Sequence, residues 1–158
     1  MMTHDRGANQ DLGRRILTVA IGAALVLLTA GCASQSVVRF LCDSRVNDGV
    51  LLTIDLIQVN ESEAAQIRQV GSKWFYSPLR PQLALRTKTI AVKGGCAETV
   101  ELAKPKKGYD ILAIVAEYQT ATSDRPEGNM VFRMKKDWQG ERLLVAVRDA
   151  YLSVTMED

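Results

Sequence analysis

The sequence predicts an all-β domain: a two-sheet β-sandwich with one short helix, preceded by an apolar leader. Three observations carry that expectation. Beyond residue 36, apolar residues recur at every second position in short runs, the period of a strand with one face on a core. Clusters of Gly, Pro, Asn and Asp separate the runs at fairly regular spacing, giving about eight strands. Three-residue apolar spacing occurs in only one stretch, Ser62 to Val70.

The leader opens on Arg14 and Arg15, followed by Ile16 to Ala30, a run of 15 residues without a charge. That length is the upper end of a secretory signal core and falls short of the roughly 20 residues that span a bilayer as a helix. At its end, Leu28-Thr29-Ala30-Gly31-Cys32 resembles the bacterial lipobox. Small residues admit a peptidase, and the thiol of Cys32 accepts a diacylglycerol. The alternative is an uncleaved anchor with an incidental cysteine. The expected boundaries are a signal peptide over 1–31, a lipidated N-terminus and short linker over 32–36, and the sandwich over 37–158. At about 0.8 kcal/mol per buried methylene, one long acyl chain contributes on the order of 10 kcal/mol, and three chains make the anchor permanent. Ala33 and Ser34 contain no aspartate of the kind that retains lipoproteins at an inner membrane, so the periplasmic face of the outer membrane is expected.

Composition narrows the chemistry. Three of the 20 basic and two of the 18 acidic residues precede Cys32, leaving 17 and 16 in the processed chain. Such a balance argues against nucleic acid as a partner. His4, the only histidine, lies in the leader, so Ser-His-Asp and Cys-His catalysis and the commonest metal ligand are all missing from the domain. No catalytic residue, metal site or cofactor is expected beyond the lipid on Cys32. With Cys32 acylated, Cys42 and Cys96 remain. Either they stay as buried thiols or they pair, and pairing is the default in an oxidising periplasm. The bond would close a loop of 55 residues, which the chain-entropy estimate values at about 4 kcal/mol.

Element by element, Val37 to Leu41 is a first strand ended by Cys42. Asp43-Ser44-Arg45-Val46-Asn47-Asp48-Gly49 is a polar loop. Val50 to Val59 is a long strand with Leu52, Ile54 and Leu56 toward the core, and with Thr53 and Asp55 on the face expected toward solvent. A helix over Ser62 to Val70, capped by Ser62 and stopped by Gly71, leads to Trp74-Phe75-Tyr76, read either as a core plug or as an exposed aromatic patch. Thr87 to Lys93 and Ala97 to Ala103 are strands about a Gly94-Gly95 turn. Lys104-Pro105-Lys106-Lys107-Gly108 is a solvated turn that could attract phosphate or headgroups. Ile111 to Tyr118 is the central buried strand, Asp124 to Asn129 a loop, and Met130 to Met134 a short strand. Arg142 to Arg148 and Tyr151 to Met156 close the chain as a hairpin.

This order of features resembles the TssJ family, the outer-membrane lipoproteins of the type VI secretion system. The resemblance is carried by the lipobox at Cys32, the long strand Val50 to Val59, the helix leading to Phe75, and Thr87 to Cys96. Gly108-Tyr109-Asp110 before Ile111 to Tyr118, and the hairpin Leu143 to Thr155, complete it. It implies a transthyretin-like β-sandwich that binds the periplasmic C-terminal domain of an inner-membrane TssM-like protein. In that family the loop between the first two strands makes much of the contact, which here means Asp43, Ser44, Arg45, Val46, Asn47, Asp48 and Gly49. Excising this loop is then expected to abolish the contact and leave the fold standing. From another class, a β-sandwich lipoprotein in envelope assembly or ligand binding remains the alternative. A cell-wall hydrolase is disfavoured by the histidine-free domain.

Overall fold

A computed structural model describes residues 35–119 and 128–157. The expected signal peptide, Cys32 and residues 124–127 of the loop before the sixth strand lie outside them.

Eight strands form two four-stranded sheets: β1 (Ser36–Cys42), β2 (Leu52–Val59), β3 (Thr87–Val92), β4 (Ala97–Leu102), β5 (Ile111–Ala116), β6 (Met130–Met134), β7 (Arg142–Val147) and β8 (Leu152–Met156). One sheet runs β4-β1-β7-β8 and the other β3-β2-β5-β6. All neighbours are antiparallel except β1 and β7, which run parallel with Phe40 opposite Val145. The expected all-β sandwich is therefore the observed architecture, and the terminal hairpin pairs Val145 with Val154.

Two apolar clusters fill the body. Between the sheets, Val38, Phe40, Leu52, Ile54, Leu56, Leu112, Ile114, Leu143 and Val145 meet with essentially no exposure. On the other side of the second sheet, Ile57, Val59, Ala113 and Val115 pack under Ala64, Ile67, Trp74 and Leu83. β5 lies between both clusters, which is why all six of its residues are buried and its sequence is continuously apolar.

Here the structure corrects the expected solvent face of β2. Asp55 and Ile57 are fully buried, because the connection from β2 to β3 lies over them. That connection comprises helix α1 (Glu61–Val70), a 3-10 segment Gly71–Tyr76, a short helix α2 (Leu79–Gln82) and a 3-10 turn Ala84–Arg86. The cap of α1 is Asn60, not Ser62. Asn60 Oδ1 accepts from the Glu63 amide at 2.9 Å and Glu63 Oε2 accepts from the Asn60 amide at 3.1 Å, a reciprocal capping box. Gly71, at φ 61°, ends the helix as expected. Trp74 is a core plug with no exposure, whereas Tyr76 stands 83% exposed.

The Gly94-Gly95 turn also differs from expectation. β3 and β4 do not pair; they are edge strands of different sheets, and the turn carries the chain from one sheet to the other. A side chain on Gly94 would put its Cβ 2.1 Å from the Ser44 carbonyl oxygen, so only glycine lets these two loops touch.

Two polar arrangements bind the connection to the sheet. Asp55 accepts from Trp74 Nε1 (2.9 Å), Arg80 Nε (2.8 Å), Arg80 Nη2 (3.3 Å) and Thr89 Oγ1 (2.6 Å). Arg80 also lies over the Phe75 ring. At the start of α1, Arg86 grips Glu63 through two bonds of 2.6 and 2.8 Å, donates to the Gln58 carbonyl and covers the Tyr109 ring. The Arg86 guanidinium draws the Glu63 carboxyl below its ordinary range, while partial burial opposes it.

Removing the charge of Asp55 leaves a guanidinium, an indole N–H and a hydroxyl facing an amide in a dry site. Asp55→Asn is expected to destabilise by about 3 kcal/mol, and Thr89→Val, which deletes one neutral donor, by about 1 kcal/mol, both read from urea midpoints. Equal midpoints for Asp55→Asn and the parent would show that this carboxylate does not hold the connection. A depressed Glu63 contributes stability that is complete above the ordinary carboxyl value near 4.3 and is lost as pH falls through its folded value. The parent is thus expected to lose stability more steeply than Glu63→Gln below about pH 4.3, with the two curves running parallel above it.

Candidate interaction site

Strand directions bring four connections together at one end of the sandwich. These are the β1–β2 loop (Asp43–Leu51), the sheet-switching turn Lys93–Cys96, the segments flanking β5 and β6 (Glu117–Gln119 and Gly128–Asn129), and the β7–β8 turn (Arg148–Tyr151). The N-terminus of β1 is at the opposite end.

The root of the β1–β2 loop is tightly held. Cys42 and Cys96 are joined by a disulfide with Cα atoms 4.8 Å apart, and the Cys42 amide donates to the Cys96 carbonyl at 3.0 Å. One residue on, the Asp43 amide donates to the Val147 carbonyl and its own carbonyl accepts from Gly95, both at 2.9 Å. Arg148 pairs with the Asp43 carboxylate at 2.9 Å, a contact about half exposed on both sides and therefore of small energetic weight.

Asn47 organises the loop's centre. It is 2% exposed and adopts φ 52°, a left-handed conformation that asparagine tolerates better than most residues. Its amide donates to the Asp149 carbonyl (3.3 Å), its Nδ2 to the Leu51 carbonyl (3.3 Å), and its Oδ1 accepts from the Gln119 amide (2.9 Å). Three connections thus meet on one residue. Beside it Val46 is fully buried in the core between the sheets. Tyr118 completes the bracing: its hydroxyl lies 3.0 Å from the Arg148 carbonyl and 2.9 Å from that of Tyr151. Burial, with Asp43 and Asp149 nearby, raises the Tyr118 hydroxyl well above its ordinary value, so it stays protonated and able to donate.

These positions revise the seven residues read from the sequence. Val46 and Asn47 face inward and cannot meet a partner directly; Asp43 is committed to Arg148. Ser44, Arg45, Asp48 and Gly49 are exposed. Excision of Asp43–Gly49 would remove Val46 from the core and the Asn47 hydrogen bonds, so the loop is part of the fold and not a dispensable insert. Sequence reasoning also passed over Val50 and Leu51, assigned to the second strand. That strand begins at Leu52, leaving both side chains on the loop at 42% and 60% exposure, with Tyr151 at 40% on the neighbouring turn. Their signal was present in the break of alternation at Val50-Leu51-Leu52, three apolar residues in succession.

The exposed surface of this end combines apolar Val50, Leu51 and Tyr151 with Arg45 and Asp48. Exposed apolar side chains together with charged ones are the composition of a protein-binding surface. Among the described residues, no group of three or more His, Cys, Asp or Glu side chains is placed to hold a metal ion, and no helix is long and apolar enough to cross a membrane.

No family profile and no curated relative matches this chain. Solved structures do. The type VI secretion lipoprotein TssJ1 from Pseudomonas aeruginosa superposes with a TM-score of 0.62 at 12% identity, covering 80% of this chain and 98% of that one. Serratia marcescens Lip, described as a membrane-bound component of the type VI secretion system, gives 0.57 at 12% identity, over 79% of this chain and 99% of that one. A chain in a structure described as the TssM C-terminal domain (869–1107) from EAEC gives 0.63 at 8% identity, over 77% and 97%. The described residues therefore share the fold of these solved type VI secretion lipoproteins, as the resemblance implied.

Proposed function

We propose that the processed chain is held at the periplasmic face of the outer membrane by a lipid on Cys32. From there it grips the periplasmic C-terminal domain of an inner-membrane TssM-like protein through the loop end of its sandwich. Binding, not catalysis, is its task.

The observation that carries this reading is the opposition of the two ends of β1. Three residues separate Cys32 from Ser36, where β1 begins, and the strand leads directly into the braced Asp43–Leu51 loop. At roughly 3.3 Å per residue, seven strand residues set these ends on the order of 20 Å apart. A tether at one end leaves the other facing away from it. Load entering at the loop passes through hydrogen-bonded β1, through the Cys42–Cys96 bond into β4, and through parallel β7. Solved structures of similar fold described as the TssM C-terminal domain and as a type VI membrane complex support a TssM-like partner.

Mechanically, a loop already held in one conformation loses little freedom on binding, which favours affinity for a given contact area. Arg45 and Asp48 supply charge that sets register, and Leu51 supplies apolar area that water leaves on contact.

The test is capture of the lipidated protein by the periplasmic domain of a TssM-like protein from the same bacterium. Leu51→Ala is expected to weaken binding about tenfold, and Arg45→Ala with Asp48→Asn, which keeps a residue that tolerates the left-handed backbone at 48, by a similar factor, with unchanged circular dichroism and thermal midpoint. Undiminished capture by the triple variant would remove this end as the contact surface.

A further inference from the structure

The lysine-rich turn after β4 is not used by the partner-binding end; it sits at the other end, beside the point where the chain enters the sandwich. Register fixes this placement. Ser36 pairs with Leu102, two residues before Lys104, and Val37 pairs with Arg142, just after the β6–β7 connection. Ser36 Oγ accepts from the Gly140 amide at 2.9 Å, and the Val37 amide donates to the Glu141 carbonyl at 3.0 Å. The first residues of the body thus run between two loops, 103–110 and 135–141.

Those loops carry Lys104, Lys106, Lys107, Lys135 and Lys136 against three carboxylates, Asp110, Asp137 and Glu141. Lys104, Lys106, Lys107 and Lys136 are exposed, and none of them is in an ion pair among the described residues. Lys135 reaches Asp110 at 3.3 Å, which joins the two loops, and both side chains are 40% or more exposed. Asp110, Met134, Lys135, Lys136 and Gln139 line a shallow groove between them, with a volume of about 580 Å³ and Met134 43% exposed.

We propose that these two loops form a basic cap that lies on anionic phospholipid headgroups and orients the sandwich on the bilayer that holds its lipid. This rests on the tether reading above and extends it. An acyl anchor on Cys32 limits the distance to the bilayer but does not by itself select which face of the sandwich meets it. The three residues between Cys32 and Ser36 make four backbone steps, at most about 14 Å, so the start of β1 stays within about two Debye lengths of the anchored headgroups at physiological salt. A cap favouring contact turns the loop end of the sandwich away from the membrane. The bilayer surface is the occupant because the chain itself delivers it to this end, and because ammonium groups matched to lipid phosphates supply the charge complementarity.

The experiment uses the mature lipidated protein in vesicles of phosphatidylcholine, with or without phosphatidylglycerol, and follows amine acylation by mass spectrometry. Lys104, Lys106, Lys107 and Lys136 are expected to react on the order of fivefold more slowly on the anionic vesicles, the factor that about 1 kcal/mol per lysine implies. Lys93, on the turn at the opposite end, reports the unprotected rate. In the K104Q/K106Q/K107Q variant, Lys136 is expected to regain its rate on neutral vesicles, and high salt is expected to have the same effect on the parent. Flotation with both vesicle types reports the tether separately; failure to float on neutral vesicles would remove the tether and the cap with it. Equal lysine rates on both vesicles, with flotation intact, would overturn the cap alone. So would equal protection by inorganic phosphate in excess, which would assign the lysines to free anions.

Discussion

An acidic side chain sealed from water is tolerated when a cation stands beside it and its lone pairs find donors. Asp55 meets that condition at the centre of the second sheet, with an indole, a guanidinium and a hydroxyl converging on its two oxygens. Trp74 and Arg80 come from the long β2–β3 connection, and Thr89 from the edge strand that follows it. One acidic residue therefore specifies where the connection lies, and the connection covers Ile57, Val59, Ala113 and Val115. Without that cover, β5 would expose three of its six apolar side chains. The geometry works as a register device: an apolar residue at 55 would bury as well but would accept many placements of the chain above it.

The two ends of the sandwich are built on different principles. The loop end is braced by covalent and hydrogen bonds that converge on Cys42, Asp43 and Asn47, so its exposed side chains sit on a stiff frame. At the other end, the exposed lysines stand on loops held by buried Trp138 and the Lys135–Asp110 pair, and in the proposed cap they act through long-range charge. Rigidity suits recognition of a folded surface, where each ordered side chain would otherwise cost entropy. A fluid headgroup layer needs no such fit, and a diffuse positive surface suffices.

Buried and exposed positions in the β1–β2 loop alternate in role as well as in place. Val46 and Asn47 turn inward and let Arg45, Asp48 and Leu51 turn outward. Left-handed backbone at Asn47 and Asp48 reverses the chain within two residues, and Gly94 clears room for the Ser44 carbonyl. The same residue types that read as a solvated loop in one dimension are thus divided between scaffold and surface in three.

Local patterns made much of this protein legible in its amino-acid order. Alternation from Val37 onward, the helical spacing ending at Gly71 and the continuous apolar run at Ile111 all record interactions between near neighbours or demands made by one strand on its own faces. From them came the all-β class and the strand count, while the β1–β2 loop was singled out by the family resemblance. Other features depended on what lies across space. Periodicity says that one face of β2 is apolar but not that a second layer covers the other, which is why Asp55 read as solvated and is buried. Turn residues say that the chain reverses but not which sheet it joins, so Gly94-Gly95 read as a turn between two strands and is a crossing between sheets. Burial of Asn47, parallel pairing of β1 with β7 and the meeting of two lysine loops beside Ser36 come from contacts between residues far apart in the chain, which only the packed sheets bring together.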